Sequence, residues 1–198
     1  MLTTGCPQHR SAGFTLIELL ITMSLLVVLL RLAAPSFATW IHNAQVRTVA
    51  ESLDNALRQA QNESVRRSRQ VVFSLTNDTP GIGSAAAANG NHWALHAVPL
   101  PTEALQFISG GVLGDADNVT ITGPGALCFN SMGRQVANAS PGVADAVCTI
   151  SAADPLTSYD VAVSGADRPL RVTVSLGGQV RMCDPSHTLS SSYPEGCP

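Results

Sequence analysis

An apolar run near the start of the chain constrains its fold more than any other feature. The run extends from Phe14 to Leu30 and ends at Arg31. At about 1.5 Å per residue, a helix of this length is roughly 25 Å long, which approaches the thickness of the hydrocarbon core of a bilayer. Glu18 lies near the start of the run, where an unpaired carboxylate is costly in hydrocarbon. The run therefore predicts a membrane helix in which Glu18 has a specific role. A plain anchor with a snorkelling Glu18 is the alternative.

The helical pattern continues beyond the apolar run but becomes amphipathic. Apolar residues recur there at steps of three and four: Val46, Val49, Leu53, Ala56, Leu57 and Ala60. Pro35 removes one backbone hydrogen bond and predicts a kink or a local loosening between the two halves. We therefore expect residues 14–34 to form an apolar helical half. Residues 35–69 should form an amphipathic half whose apolar stripe lies against a sheet.

Residues 70–198 have the pattern of a β domain. Short apolar stretches alternate with turns rich in Gly, Pro, Asn and Asp, which favours an antiparallel sheet. The predicted strands are 71–75, 92–98, 105–108, 119–122, 127–130, 136, 146–151, 159–164, 170–176 and 179–183. The stretch 77–91 is rich in Gly, Ala and Asn and predicts a surface loop. Gly133 and Gly177–Gly178 each separate two short strands, so both positions predict hairpins.

Four of the five cysteines form an even set in the β domain: Cys128, Cys148, Cys183 and Cys197. A domain that is translocated behind a membrane helix reaches an oxidising compartment, where disulfide bonds are expected. Four cysteines allow three connectivities. Closeness in sequence favours the pairs Cys128–Cys148 and Cys183–Cys197. No two of them have the Cys-x2-Cys spacing that is typical of a zinc site.

The start of the apolar run carries a motif in which a short polar leader ends at Gly13 and Phe-Thr-Leu-Ile-Glu follows. This motif resembles the class III signal of type IV pilins and type II secretion pseudopilins. The resemblance implies that residues 1–13 are a leader peptide, that a prepilin peptidase cleaves after Gly13, and that it methylates the new N-terminus on Phe14. It also implies that Glu18 pairs with the N-terminal ammonium of a neighbouring subunit and sets the register in the filament. Such a pair is strongly attractive in apolar surroundings. The position of Pro35 is similar to that of a proline at which pilin helices bend or melt during assembly.

Two further segments resemble the GspH/FimT family of minor pilins and pseudopilins. They are the helix end at residues 57–67 with the strand that follows it, and the cysteine-closed tail at residues 181–197, which is similar to the FimT/FimU branch. The resemblance implies an α+β type IV pilin fold, with a long N-terminal helix packed on antiparallel β-sheets. It implies a minor pilin that takes part in pilus assembly and priming. Such a subunit has a single pass in the inner membrane and a periplasmic C-terminal domain, and later joins the filament on the cell surface. The implied partners are the prepilin peptidase, the major pilin and other minor pilins.

The resemblance leaves two alternative functions open. The first is a minor pseudopilin of type II secretion, although such proteins usually lack the cysteine tail. The second is DNA binding for natural transformation, which some FimT-type pilins perform through a Gly-Arg-x-Arg element. Here the matching positions, 178–181, read Gly-Gln-Val-Arg, so one Arg is replaced. Arg181, Arg171 and Arg134 remain candidates for phosphate contacts.

Other polar residues carry weaker indications. Arg66, Arg67 and Arg69 could complement the dipole at a helix C-terminus or form a basic patch. His92 and His96 would share one face of a strand, but no third metal ligand is near in sequence, so cross-strand or surface histidines are the simpler interpretation. Scattered serines and aspartates show no catalytic spacing. The net charge of −3 does not indicate a general nucleic-acid binder. We therefore predict a protein that is not an enzyme and has no metal or cofactor.

Overall fold

The computed structural model describes residues 13–113, 119–151 and 155–198, apart from the side chains of Ala33 and Pro35. The chain divides into two compact units, one up to Ala38 and one from Thr39 to Pro198. A single α-helix, α1 (Leu16–Arg66), runs from the first unit into the second. The predicted role of Pro35 concerns a side chain outside the described part, so it stays a prediction.

The C-terminus of α1 is closed by a Schellman motif. Ser68 has φ 49°, the left-handed conformation that ends many helices. The amide of Ser68 donates to the carbonyl of Val65, and the amide of Arg69 donates to the carbonyl of Ser64. The helix therefore ends at Arg66, three residues before the predicted end, because the chain reverses its handedness at Ser68.

The described part of the first unit is mainly the apolar half of the helix. Among the described residues, no one helix is both long and apolar enough to cross a membrane. By length and composition alone, Leu16–Leu32 and Ser36–Arg66 could do so together as a bent pair.

The second unit contains all the described strands. They are β1 (Val71–Thr76), β2 (His92–Ala97), β3 (Gln106–Val112), β4 (Val119–Thr122), β5 (Ala126–Phe129), β6 (Gln135–Val136), β7 (Thr157–Val163), β8 (Leu170–Val174), β9 (Val180–Thr188) and β10 (Gly196–Cys197). They form two five-stranded sheets, with the orders β3-β2-β1-β5-β6 and β10-β9-β8-β7-β4. Each described pairing is antiparallel except that of β9 with β10, which is parallel.

The main core lies between α1 and both sheets. The predicted apolar stripe of the helix is buried there, with Leu53 and Leu57 fully inaccessible to solvent. Phe73 of the first sheet and Tyr159 of the second meet in this core as an edge-to-face aromatic pair, with ring centroids 6.0 Å apart. The helix is thus the element on which the two sheets converge.

A second, smaller core covers the opposite face of the first sheet. Val72, Ala126 and Cys128 pack there against Val143, Ala146 and Cys148 of the segment that follows β6. Because the first sheet is covered on both faces, all six residues of β1 are buried. Both cores and both disulfide bonds lie within Thr39–Pro198.

The predicted strand at residues 146–151 is wrong. Only one isolated bridge forms there, between Asn138 and Cys148. Gly142 and Asp145 adopt positive φ, which turns the chain back on itself. Since the segment lies over the face of the first sheet, it has no neighbouring strand with which to form a ladder.

The two predicted hairpins are confirmed. Gly133 (φ 73°) lies between β5 and β6, and Gly178 (φ 87°) lies between β8 and β9. The turns of the two hairpins meet, because the amide of Gln135 donates to the carbonyl of Leu176. The side chain of Gln61 on α1 donates to the carbonyl of Gly133 at 3.0 Å and ties this junction to the helix.

Candidate functional site

The first turn of α1 is capped by the motif itself. Thr15 precedes the helix, and its Oγ1 accepts a hydrogen bond from the amide of Glu18 at 3.3 Å. Its carbonyl accepts the amide of Leu19. Thr15 is thus the N-cap of α1, and Glu18 is the residue whose amide it caps. Sequence reasoning missed this second role of the motif, although the spacing was visible.

Phe14, the first residue after the predicted cleavage site, is 82% exposed among the described residues. A Cβ atom added to Gly13 would meet no described atom within 4 Å. No described residue pairs with the side chain of Glu18. The described residues therefore leave the start of α1 uncovered.

The apolar half of α1 has no cover within the described chain. Its large apolar side chains, from Phe14 to Leu32, are 50–82% exposed. The two hydroxyl side chains in this half bond to their own helix, Thr22 to the carbonyl of Leu19 and Ser24 to that of Ile21. A helix that is apolar on all sides needs a lipid bilayer or other helices around it.

The arginines at the end of α1 do not form a free basic patch. Arg66 and Arg67 both bind Glu63, at 2.6 and 2.8 Å. The hydrogen bond from Arg66, and then that from Arg67, lowers the pKa of the Glu63 carboxyl. Arg69 pairs with Glu103 at 2.7 Å and donates to the carbonyl of Val98. These contacts anchor the helix end to the sheet and the loop beyond it.

The three arginines proposed for DNA contacts have different surroundings. Arg171 and Arg181 share the outer face of the β8–β9 hairpin, since Arg181 lies opposite Thr173. Arg171 pairs with Asp160 on β7 at 2.6 Å, and Arg181 donates to the carbonyl of Pro194 at 2.7 Å. Arg134 is exposed in the β5–β6 hairpin, and its side chain has no partner among the described residues. Arg171 and Arg181 therefore lie on one face, and Asp160 neutralises the charge of Arg171.

The cysteines form the two pairs that closeness in sequence favours. Cys128 is joined to Cys148, and Cys183 is joined to Cys197. The first disulfide attaches the segment after β6 to the buried strand β5. The second holds the short strand β10 against β9, and His187 stacks on Tyr193 within the loop that it closes.

The two histidines of strand β2, His92 and His96, lie in different environments. His96 is buried, its Nε2 lies 3.0 Å from the carbonyl of Gly81, and its ring packs edge-on against Phe107. Burial lowers the pKa of His96. Within the described residues no cluster of metal-ligating side chains forms. His96 is therefore a core residue under the loop that follows β1, which corrects the interpretation of a surface or cross-strand pair.

The comparisons with known proteins agree with this architecture. Residues 49–185 match the family described as type II transport protein GspH, and residues 8–30 match the prokaryotic N-terminal methylation motif. The chain therefore belongs to the GspH family of minor type IV pilins and pseudopilins. Members of this family are structural subunits. The methylation motif implies processing by a prepilin peptidase and assembly with other pilins.

A solved structure shows the same fold at low sequence identity. The type IV minor pilin FimU of Pseudomonas aeruginosa is 15% identical, with a TM-score of 0.50 over 78% of this chain and 96% of that one. The minor pseudopilin EpsH of Vibrio cholerae is 13% identical, with a TM-score of 0.46 over 72% of this chain and 99% of that one. The sequence matches no curated protein. The α+β pilin fold predicted from the sequence is confirmed.

Proposed function

We propose that this protein is a minor type IV pilin that takes part in priming and assembly of the pilus. It becomes assembly-competent when the prepilin peptidase cleaves after Gly13 and methylates the amine of Phe14. The observation that carries the proposal is the apolar half of α1, which no described residue covers and which begins within the matched methylation motif at the exposed Phe14. Such a helix has two environments in a filament system, the bilayer before assembly and the filament core after it.

Glu18 gives this helix its register. A carboxylate among apolar side chains is penalised unless a cation joins it. The methylated ammonium on Phe14 of a neighbouring subunit supplies that cation, and its own charge is neutralised at the same time. Insertion of one subunit beside the next then stops where the two charges meet.

The protein is held in the inner membrane by one pass of the apolar helix, with the β domain in the periplasm. Two disulfide bonds in that domain fit an oxidising compartment. Its function is structural and not enzymatic, in keeping with the family. The cysteine-closed tail supports membership of a pilus and not of a secretion system.

Deletion of the gene tests this proposal, with surface pili, transformation and secreted enzymes scored in one strain. We expect loss of pili and of twitching, with secretion unchanged. Loss of secretion alone would assign the protein to a secretion pseudopilus. Loss of transformation with intact pili would move its function to DNA uptake, and substitution of Arg134 and Arg181 would then be the next experiment.

A further inference from the structure

Strand β3 ends the first sheet, and no described strand pairs with its outer edge. The amide of Leu113 donates to the carbonyl of Asn91 at 2.9 Å, which fixes the direction in which the backbone groups point at this end of the strand. Because this direction alternates along an antiparallel strand, Gly111 faces β2, whereas the N–H and C=O groups of Gly110 and Val112 face away from it. No described residue hydrogen-bonds to those outward groups.

This edge lacks the usual protection against a further strand. Exposed edge strands commonly carry a charge, a proline or a bulge. The sequence of β3, Gln106–Val112, contains neither a charged residue nor a proline. Its one irregularity lies opposite Leu95 and His96, away from Gly110 and Val112. The two adjacent glycines also carry no side chain that would keep another backbone at a distance.

An apolar groove of about 580 Å³ lies beside this edge. The face of α1 from Trp40 to Ser52 forms one wall, and the ends of the two edge strands form the other, at Val112, Leu113 and Val119. None of the described residues that line the groove is charged. A strand added to β3 would direct every second side chain towards α1, and hence into this groove.

We propose that the β3 edge binds an extended, uncharged segment of another polypeptide. The segment pairs with Gly110 and Val112 and inserts apolar side chains into the groove. An extended segment is the occupant that fits, because its backbone supplies the hydrogen bonds that the edge lacks. A helix uses its backbone groups internally and a lipid chain has none. The described lining residues, which are uncharged, favour apolar or small neutral side chains. This surface goes beyond the proposed function and serves a pilus or a pseudopilus equally.

Hydrogen exchange of the full chain in lipid nanodiscs tests the proposal. The probe is a capped heptapeptide of alternating threonine and valine. Its control is the same peptide with every second backbone nitrogen methylated, which removes the donors and keeps the side chains. At about 1 mM of the first peptide, we expect exchange at the amides of Gly110 and Val112 to slow by at least about tenfold. The amide of Gly111, already bonded to β2, should change far less. Equal protection by the methylated peptide, or no protection, would overturn the proposal.

Substitutions of two half-exposed valines distinguish peptide binding at this edge from non-specific binding to exposed apolar residues. Val112 is 47% exposed on the edge, and Val65 is 50% exposed elsewhere, on α1. We expect Val112→Lys to weaken peptide binding by at least about tenfold, because it places a charge on the edge. Val65→Lys should leave binding unchanged. Equal effects of the two variants would refute a site at β3.

Discussion

At the residue scale, Tyr159 shows how a polar atom is carried into the core. Its ring is fully buried against Phe73, and its hydroxyl has no hydrogen-bond partner among the described residues. Burial raises the pKa of this hydroxyl, so it stays neutral. The ring thus contributes apolar contacts. The hydroxyl group, in contrast, loses its hydrogen bonds to water and gains none from the described residues.

Removing that oxygen should stabilise the protein. We expect Tyr159→Phe to raise the free energy of unfolding by about 1 kcal/mol, since an unsatisfied buried hydroxyl costs about that much. Denaturant unfolding measures the change, and Tyr193→Phe, at an exposed position, serves as the control. A loss of stability in Tyr159→Phe would mean that the hydroxyl has a partner, such as a bound water.

Gly178 and Gly177 offer a matched pair of positions in the β8–β9 turn. Gly178 has φ 87°, and a Cβ atom there would collide with the carbonyl of Gly133 in the other hairpin. At Gly177 the only described atom within 4 Å of an added Cβ is the Ser175 Oγ, at 3.6 Å. We expect Gly178→Ala to cost about 1–3 kcal/mol and Gly177→Ala to cost clearly less. Thermal unfolding of both variants measures the difference, and equal losses would argue against the contact between the two turns.

At the scale of elements, the C-terminus of α1 is stabilised by the carboxylate of Glu63, which forms ion pairs with both Arg66 and Arg67. Because Arg66 and Arg67 lower the pKa of Glu63, the folded state binds a proton there less readily than the unfolded chain does. The stabilisation is therefore fully present at neutral pH, and it is lost as the pH falls through and below the ordinary carboxyl value of 4.5.

Replacing Glu63 should flatten this acid dependence. We expect Glu63→Gln to lower stability at pH 7 by up to about 1 kcal/mol. Its effect should become smaller as the pH falls towards 3, because the native carboxyl takes up a proton as the pH drops through its lowered pKa. Unfolding curves between these pH values give the comparison. Glu51→Gln, which breaks the more exposed pair with Arg47, is the control and should change stability less. A parallel loss at both pH values would show that packing and not charge explains the effect.

The role of Glu18 in the apolar half of α1 can be tested by substitution. We expect Glu18→Ala to leave membrane insertion and cleavage after Gly13 intact but to reduce incorporation into filaments at least about tenfold, since each insertion loses one charge pair. Immunoblots of membranes and of sheared filaments measure both steps. Ser24→Ala is the matched control, because that hydroxyl bonds only to its own helix. Normal amounts of Glu18→Ala protein in filaments would disprove the role of Glu18 in register.

At the scale of the whole molecule, the disulfide bonds fasten segments that the sheets alone hold weakly. Cys128–Cys148 closes a sequence separation of 20 residues over the face of the first sheet. Cys183–Cys197 closes one of 14 residues and retains a strand of only two residues. Each bond should contribute about 2–4 kcal/mol by restricting the unfolded chain.

The two bonds should differ in what their loss exposes. Replacing Cys183 and Cys197 by Ala should open the tail to proteases between residues 184 and 196 and leave a stable core. Replacing Cys128 and Cys148 should destabilise the entire β domain, because Cys128 belongs to a buried strand and to the second core. Limited proteolysis with mass spectrometry distinguishes these outcomes. Cleavage throughout the domain in the first variant would contradict the expectation.

Much of the fold could be predicted from local pattern. Apolar periodicity places the helix and its buried stripe at Val46, Leu53 and Leu57, and glycine positions predict both hairpins. The motif from Gly13 to Glu18 indicates the family. Long-range pairing could not be predicted in this way. Residues 146–151 have the composition of a strand. They lie over the face of the first sheet, however, and form only one isolated bridge and no ladder.

The features of the candidate site also fall into those that the sequence predicts and those that it does not. The sequence by itself determined the motif, the apolar helix and the even set of cysteines, because each of these is a property of neighbouring residues. Only the tertiary structure decided that Arg171 is neutralised by Asp160, that His96 is buried, that β10 lies parallel to β9 and that β3 is the edge strand of the first sheet. These depend on residues far apart in the chain, whose meeting is set by the packing of both sheets around α1 and leaves no periodic trace in the sequence.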